Sequence, residues 1–265
     1  MPAWVFMWTL SFAIFLGLKW QTWWQARDHV PHGAGRSFAY LAAWPGMDAE
    51  TFLDSRQVVA SPQSKEWLWA VAKTSFGILL LWVIARRIPE TQALLRGWIG
   101  LFGLIFLLHF GSFHLFALFW QTRGIAAQPI MSKPILSKTL SEFWGKRWNL
   151  GFRQLAYDLI FRPLHKLIGV APASLLVFLA SGVIHDLVIS LPARGGYGLP
   201  TGYFIVQGLG VTLERSGFGR GLGLQKGIVG WFFMLAIAVG PVFWLFHPPF
   251  VLSVIIPFML AIHAL

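Results

Sequence analysis

The sequence predicts an all-α polytopic membrane protein, with about seven (six to nine) transmembrane helices and one amphipathic helix lying in the interface. Three observations carry that expectation. The 265 residues are 56% hydrophobic and only 12% charged, with mean hydropathy +0.63, whereas a soluble domain carries about 25% charged residues. The apolar residues fall in long runs, and a spanning helix needs about 20 of them. The basic residues are shared unevenly between the two sets of loops that such runs would leave on opposite sides of a membrane. The whole chain, 1–265, reads as a single integral-membrane domain.

The runs are 3–24, 67–84, 98–120, 171–191, 199–213, 227–246 and 250–265; the fifth and the last are short for a span. The first has no Lys or Arg ahead of it and no A-x-A-like cleavage site, so it reads as a retained span and not a signal peptide. Fifteen Trp and 24 Phe suit the aromatic belts of a bilayer. Seven spans would leave fifteen Lys and Arg in the loops 25–66, 121–170 and 214–226 and four in the others. The positive-inside rule then puts the long basic loops in the cytoplasm and the N-terminus on the other side. The expected location is a multi-pass place in a bacterial inner membrane. Net charge of +11 is explained by these loops and anionic lipid, so no nucleic-acid partner is expected. The absence of cysteine removes disulfides, thiolate metal sites and a cysteine acyl-enzyme.

Loop 121–170 is patterned. From Phe152 onward apolar residues recur at Leu155, Ala156, Leu159, Ile160, Leu164, Leu167 and Ile168, with Arg153, Gln154, Asp158, Arg162, His165 and Lys166 between them. That spacing describes an amphipathic helix, bent near Pro163, with a basic face suited to the membrane surface.

Chemistry concentrates in two places. FLASGVIHDLVIS (178–190) sets His185 and Asp186 inside an apolar run, where ionisable residues usually face a cavity or a partner. Neighbours on a helix diverge by about 100°, so the two side chains point differently; Ser181 lies one turn before His185, and Gly182 leaves room beside it. A neutral histidine hydrogen-bonded between helices is the plainer alternative. Asn149, at the end of SEFWGKRWN (141–149), reads either as an N-cap of the amphipathic helix or as a reactive amide. His109 and His114, and the HVPH of 29–32, lack zinc-like spacing, so no metal is expected. GFGRGLG (217–223) follows a span and not a strand, so it reads as a flexible loop. Glu214 and Arg215 read as snorkelling residues at a span end.

Taken together, FWGKRWN at 143–149 and FLASGVIHDL at 178–187 resemble the wax-synthase-like branch of the membrane-bound O-acyltransferases (MBOAT). Ser137 or Ser141, Phe143, Trp144, Gly145, Arg147, Trp148 and Asn149 match its first motif, with Lys146 in place of an arginine. Phe178, Ser181, Gly182, His185 and Asp186 match its second. PTGYFIVQGLGVTLER (200–215) is similar to the span that follows, and AWPGMD (43–48) is like a segment of bacterial members. The close similarity covers about 140–215. Many relatives of that branch carry a histidine where this chain has Gln207.

The resemblance implies an MBOAT-like fold and transfer of an acyl group from a thioester, acyl-CoA or similar, to a lipidic or small hydroxyl acceptor. A long-chain alcohol giving a wax ester is the first expectation. His185 and Asn149 would be the catalytic pair, with Asp186, Ser181 and Trp148 supporting, and Gln207 on the acceptor side. Lys146, Arg147, Arg153 and Arg162 would bind the phosphates of the donor. Acyl-CoA is then a co-substrate, and no other cofactor is expected. The competing class is a proton-coupled transporter or channel using His185 and Asp186 as a relay; the sequence has no repeated halves of the kind such folds carry.

Overall fold

The computed structural model describes residues 1–265, and its regular elements are all helical. They are α1 (Ala3–Ala26), α2 (Ala34–Ala43), α3 (Ala49–Leu53), α4 (Ser64–Arg87), α5 (Glu90–Thr122), α6 (140–147), α7 (150–168), α8 (Val170–Ala193), α9 (Leu199–Arg215), α10 (Gly217–Gly221), α11 (Gly227–Leu245) and α12 (Pro248–Ala261). Five of them, α1, α4, α5, α8 and α11, are long and apolar enough to cross a bilayer, and the chain is an integral membrane protein. Each of the seven expected spans is a helix. The two that fall short of spanning length are α9, with 17 residues, and the shorter apolar α12; these are the runs that were already short in the sequence.

The chain divides into two compact units. One comprises Met1–Leu10, Ser132–Asn149 and Ala156–Phe258; the other comprises Ser11–Met131, Leu150–Leu155 and Met259–Leu265. In the second unit, α4 and α5 approach closely through small residues. A Cβ on Gly77 would stand 2.4 Å from the backbone nitrogen of Leu107, and one on Gly111 2.4 Å from Thr74 Oγ1. Such contacts replace the hydrophobic driving force that lipid removes between helices. The AWPGMD segment packs inward: Trp44 is buried and stacks on Phe52 at 5.9 Å. Lys19, fully buried within α1, donates to the Gly46 carbonyl and lies over the Tyr40 ring, 3.3 Å from its centroid. A lone lysine in an apolar helix is thereby given a carbonyl and a ring face.

The first unit holds both motif stretches. Its core gathers Leu140, Val211, Met234 and Ala238, flanked by Phe143, Trp144, Phe178 and Trp231. Helices α8 and α9 form an antiparallel hairpin whose contact is set by glycine. A Cβ on Gly182 would meet the Thr201 Cα at 2.7 Å, and one on Gly208 would meet Leu175 and Phe178 side-chain atoms at 2.9 and 3.0 Å. The SG of the second motif is therefore a packing notch. Helix α7 follows its expected period as far as Leu164: Leu155 and Ala156 are buried, Arg153, Asp158, Arg162 and Lys166 exposed, while Leu167 and Ile168 are also exposed. Just before Pro163, which has no N–H to give, the ladder widens to a π turn over Tyr157–Phe161.

Candidate functional site

The first motif sits on α6, and every free N–H of that helix's first turn has a partner. Thr139 Oγ1 accepts from Glu142 N–H at 2.9 Å, and the Thr139 carbonyl accepts from Phe143 N–H at 3.0 Å. The remaining two N–H groups, of Leu140 and Ser141, donate to the Glu214 carboxylate at 2.5 and 3.2 Å. Glu214 is 1% exposed. It does not snorkel, as a residue at the end of an apolar run was expected to; it is turned inward as the anionic cap of another helix, where the helix dipole favours negative charge. Arg215 stands beside it, its Nε donating to Ser141 Oγ at 2.9 Å. The glycine-rich stretch after it is not an open loop but begins with the short helix α10, capped by Ser216 through Gly219 N–H.

Within α6, Glu142 accepts from the Lys138 backbone N–H at 2.8 Å and from Arg147 Nε at 2.8 Å. Those contacts, the backbone one foremost, hold its carboxyl below the usual carboxylate range. Arg147 also donates to the Ser132 carbonyl, so its guanidinium fixes the motif's loop. Lys146 and Arg162 are exposed. Arg153 is exposed too and belongs to the other unit. Phe143 stacks on Trp148 at 5.3 Å and 18°. Asn149 ends the motif with φ +43°, a left-handed conformation that asparagine tolerates better than most residues. An N-cap is normally extended, so the capping alternative does not describe its backbone.

The second motif lies on α8. His185 Nδ1 is 2.6 Å from the Ser181 carbonyl. A carbonyl only accepts, so Nδ1 carries the hydrogen, and in the neutral ring Nε2 keeps its lone pair. Ser181 acts here through its backbone; its hydroxyl donates to the Val177 carbonyl at 2.9 Å. Asp186 turns elsewhere. It accepts from Ser190 Oγ at 2.8 Å, from the backbone N–H of Gly198 and Thr201 at 2.8 and 3.0 Å, and from Thr201 Oγ1. Gly198 and Thr201 belong to the N-terminus of α9, where Pro200 between them has no N–H to satisfy, while Ser190 is one turn on along α8. The adjacent pair thus divides its duties: the carboxylate caps α9, and the imidazole faces that helix's Phe204 at 4.5 Å between ring centroids.

Phe204 also meets Trp144 of the first motif at 5.7 Å, and Trp144 packs edge-on against Phe178 of the second at 5.7 Å. The two motifs therefore come together through aromatic rings. Gln207, fully buried, accepts from Trp144 Nε1 at 3.2 Å and donates to the Ile237 carbonyl at 2.7 Å. At the other end of α8, Ser190 also meets His247 Nε2 at 3.1 Å, while His247 Nδ1 accepts from Phe250 N–H at 3.2 Å. Burial pushes the His247 imidazole below its ordinary range. Phe204, Ser190 and His247 were not singled out from the sequence, and Glu214 was read there only as a snorkelling residue. The T-x-x-E spacing of Thr139 and Glu142 was a readable cap signal; for the others the partners lie far along the chain.

Residues 127–206 match the family model for the membrane bound O-acyl transferase family. Curated relatives include a probable long-chain-alcohol O-fatty-acyltransferase 7 of Arabidopsis thaliana, 29% identical over 141 residues, which is 47% of this chain and 40% of the relative. A long-chain-alcohol O-fatty-acyltransferase of Simmondsia chinensis is 27% identical over 146 residues, 49% of this chain and 40% of the relative. An acyl-CoA–sterol O-acyltransferase 1 of Arabidopsis thaliana is 27% identical over 140 residues, 46% and 39% respectively. The matched stretches thus span about two fifths of the length of these plant proteins.

Proposed function

We propose that this chain, whose residues 127–206 match the membrane bound O-acyl transferase family and which is similar to long-chain-alcohol O-fatty-acyltransferases, is an acyl-CoA-dependent O-acyltransferase whose acceptor is a long-chain alcohol and whose product is a wax ester. The observation that carries the chemistry is the His185 ring, whose Nδ1–H is tied to the Ser181 carbonyl. Nε2 is left as a base at the depth where a lipidic hydroxyl arrives.

In this reading Nε2 takes the hydroxyl proton as the alcohol oxygen attacks the thioester carbonyl carbon. The Asn149 amide donates to the oxyanion that develops. The tetrahedral intermediate collapses, the C–S bond breaks, and the imidazolium returns its proton to the departing thiolate. An ester and free CoA result, with no covalent enzyme intermediate and no metal or cofactor called on. Exposed Lys146 and Arg162 suit the phosphates of CoA, and the basic segment 121–170 faces the cytoplasm, where that donor is found. Arg147 serves the site by holding Glu142 and the Ser132 loop.

The test is thiol release from acyl-CoA in the presence of mixed long-chain alcohols. His185→Ala is expected to lower turnover by about 10²–10⁴-fold, the contribution of a positioned base, and Asn149→Ala by about 10²–10³-fold. Wild-type turnover in His185→Ala would end this reading.

A further inference from the structure

We propose that Gln207 is a positioning residue for His185, acting through Trp144 and Phe204. The proposal rests on the acyltransferase reading above. Gln207 is fully exposed to nothing but protein: both ends of its amide are engaged, the oxygen by the Trp144 indole N–H and the nitrogen by the Ile237 carbonyl. An amide that is fully buried and held at both ends is poorly suited to bind an alcohol substrate. It is well suited to fix an indole.

The fixed indole has a direct consequence. Trp144 leans on Phe204, and Phe204 lies against the His185 ring. Phe204 and Gln207 are three residues apart on α9, so one helix carries both the clamp and the surface against which the imidazole rests. The His185 ring has a single hydrogen bond, to the helix's own carbonyl at Ser181, and that bond leaves the ring plane to be set by packing. Gln207 thereby governs the direction of the Nε2 lone pair without touching substrate.

The hydrogen-bond pattern also dictates which replacement works. The position needs one acceptor toward Trp144 and one donor toward Ile237. A neutral imidazole supplies one of each, a leucine supplies neither, and a carboxylate supplies only acceptors. Gln207→His should therefore rescue what Gln207→Leu loses, but only while the new imidazole is neutral; once protonated it points an N–H at the indole N–H.

The experiment uses the full chain in detergent micelles, with palmitoyl-CoA and cetyl alcohol, and ¹⁵N-histidine NMR in which His185→Gln identifies the ring signal. Gln207→Leu is expected to lower kcat by about 10²-fold, the loss that a misplacement of about 1 Å carries, with KM for palmitoyl-CoA unchanged and the His185 signal shifted. Gln207→His is expected to recover kcat at alkaline pH and to add a second ionisation to the acid limb that His185 itself gives the wild type, steepening it. Unchanged kcat and an unchanged His185 signal in Gln207→Leu would overturn the proposal. So would a folded Gln207→His no better than Gln207→Leu at alkaline pH. Wild-type protein that releases no thiol counts against the acyltransferase reading instead, and the ring signal of Gln207→Leu then decides the positioning.

Discussion

Asp186 separates a structural carboxylate from a catalytic one, and the geometry fixes the size of the effect. Its two backbone partners, Gly198 N–H and Thr201 N–H, donate to different oxygens, Oδ1 and Oδ2 respectively. In Asp186→Asn one of those oxygens becomes an NH₂ group, so one backbone donor always loses its acceptor. The cheaper orientation abandons Gly198, which is exposed and able to turn to water. The cost is then near the low end for a lost hydrogen bond, about 1 kcal/mol, plus about 0.3–1 kcal/mol for the lost charge at the start of α9. Asp186→Ala removes all the acceptors, leaves Thr201 N–H unmet, and is expected to cost about 3 kcal/mol. Thermal unfolding in detergent, followed by the fraction of monodisperse protein, should rank wild type above Asn above Ala. Thiol release per folded molecule, at a temperature where all three are folded, should change only a fewfold between wild type and Asn, with no shift of its pH profile. A loss of about 10²-fold or more in Asn at unchanged thermal stability, the size expected of an acid–base group, would refute the capping role.

Glu214→Ala leaves the N–H groups of Leu140 and Ser141 without an acceptor inside the protein; about 1–3 kcal/mol for each such group predicts a loss of about 2–6 kcal/mol in thermal or denaturant unfolding, and Glu214→Gln should fall between. Gly182→Ala brings a Cβ to 2.7 Å from the Thr201 Cα, where no flexible side chain can yield; overpacking of about 1–3 kcal/mol, together with reduced thiol release as Phe204 moves off His185, is expected. His247 is held below its ordinary value of about 6.5 by burial. The unfolded chain thus binds the proton more readily, so stability is complete above that value and is lost as pH falls from it toward the depressed folded value. His247→Gln, which keeps an acceptor toward Phe250 and a donor toward Ser190, should flatten that acid slope in unfolding midpoints measured across it, with the charge of Asp186 the nearby influence in both proteins.

The spans were legible because membrane burial writes itself as uninterrupted apolar length, and the short runs 199–213 and 250–265 became short helices for the same reason. Helix α7 was legible from its period. The divergence of His185 and Asp186 followed from helical geometry alone, whereas the bond of His185 to the Ser181 carbonyl of its own helix replaces the inter-helix bond that was the plainer expectation. The partners of Glu214 and Gln207 were not legible. Leu140 and Ser141 lie more than 70 residues from Glu214, and Trp144 lies 63 from Gln207; only the hairpin of α8 and α9 brings them together. A carboxylate at the end of an apolar run looks the same in sequence whether it turns out to water or in to another helix's N-terminus. The resemblance named two motifs that the fold brings together, but not what joins them, which is the contact of Trp144 with Phe178 and Phe204.

Helix α8 carries a π turn over Asp186–Ser190, immediately after His185. A π turn holds one residue more than the α-helical ladder needs, so α8 behaves as two helices joined out of phase. His185 lies on the first, and the carboxyl-terminal end that meets His247 lies on the second. The surplus residue sets the rotational phase of the second half against the first: a one-residue change at this point turns one half by about 100° relative to the other. Removing exposed Leu187 would restore a regular ladder, swinging Ser190 by about 100° away from His247 while His185 keeps the Ser181 carbonyl. The turn thus fixes the register of the His247 end independently of His185, and a relative lacking that residue would have to rebuild the His247 end and not the surroundings of His185.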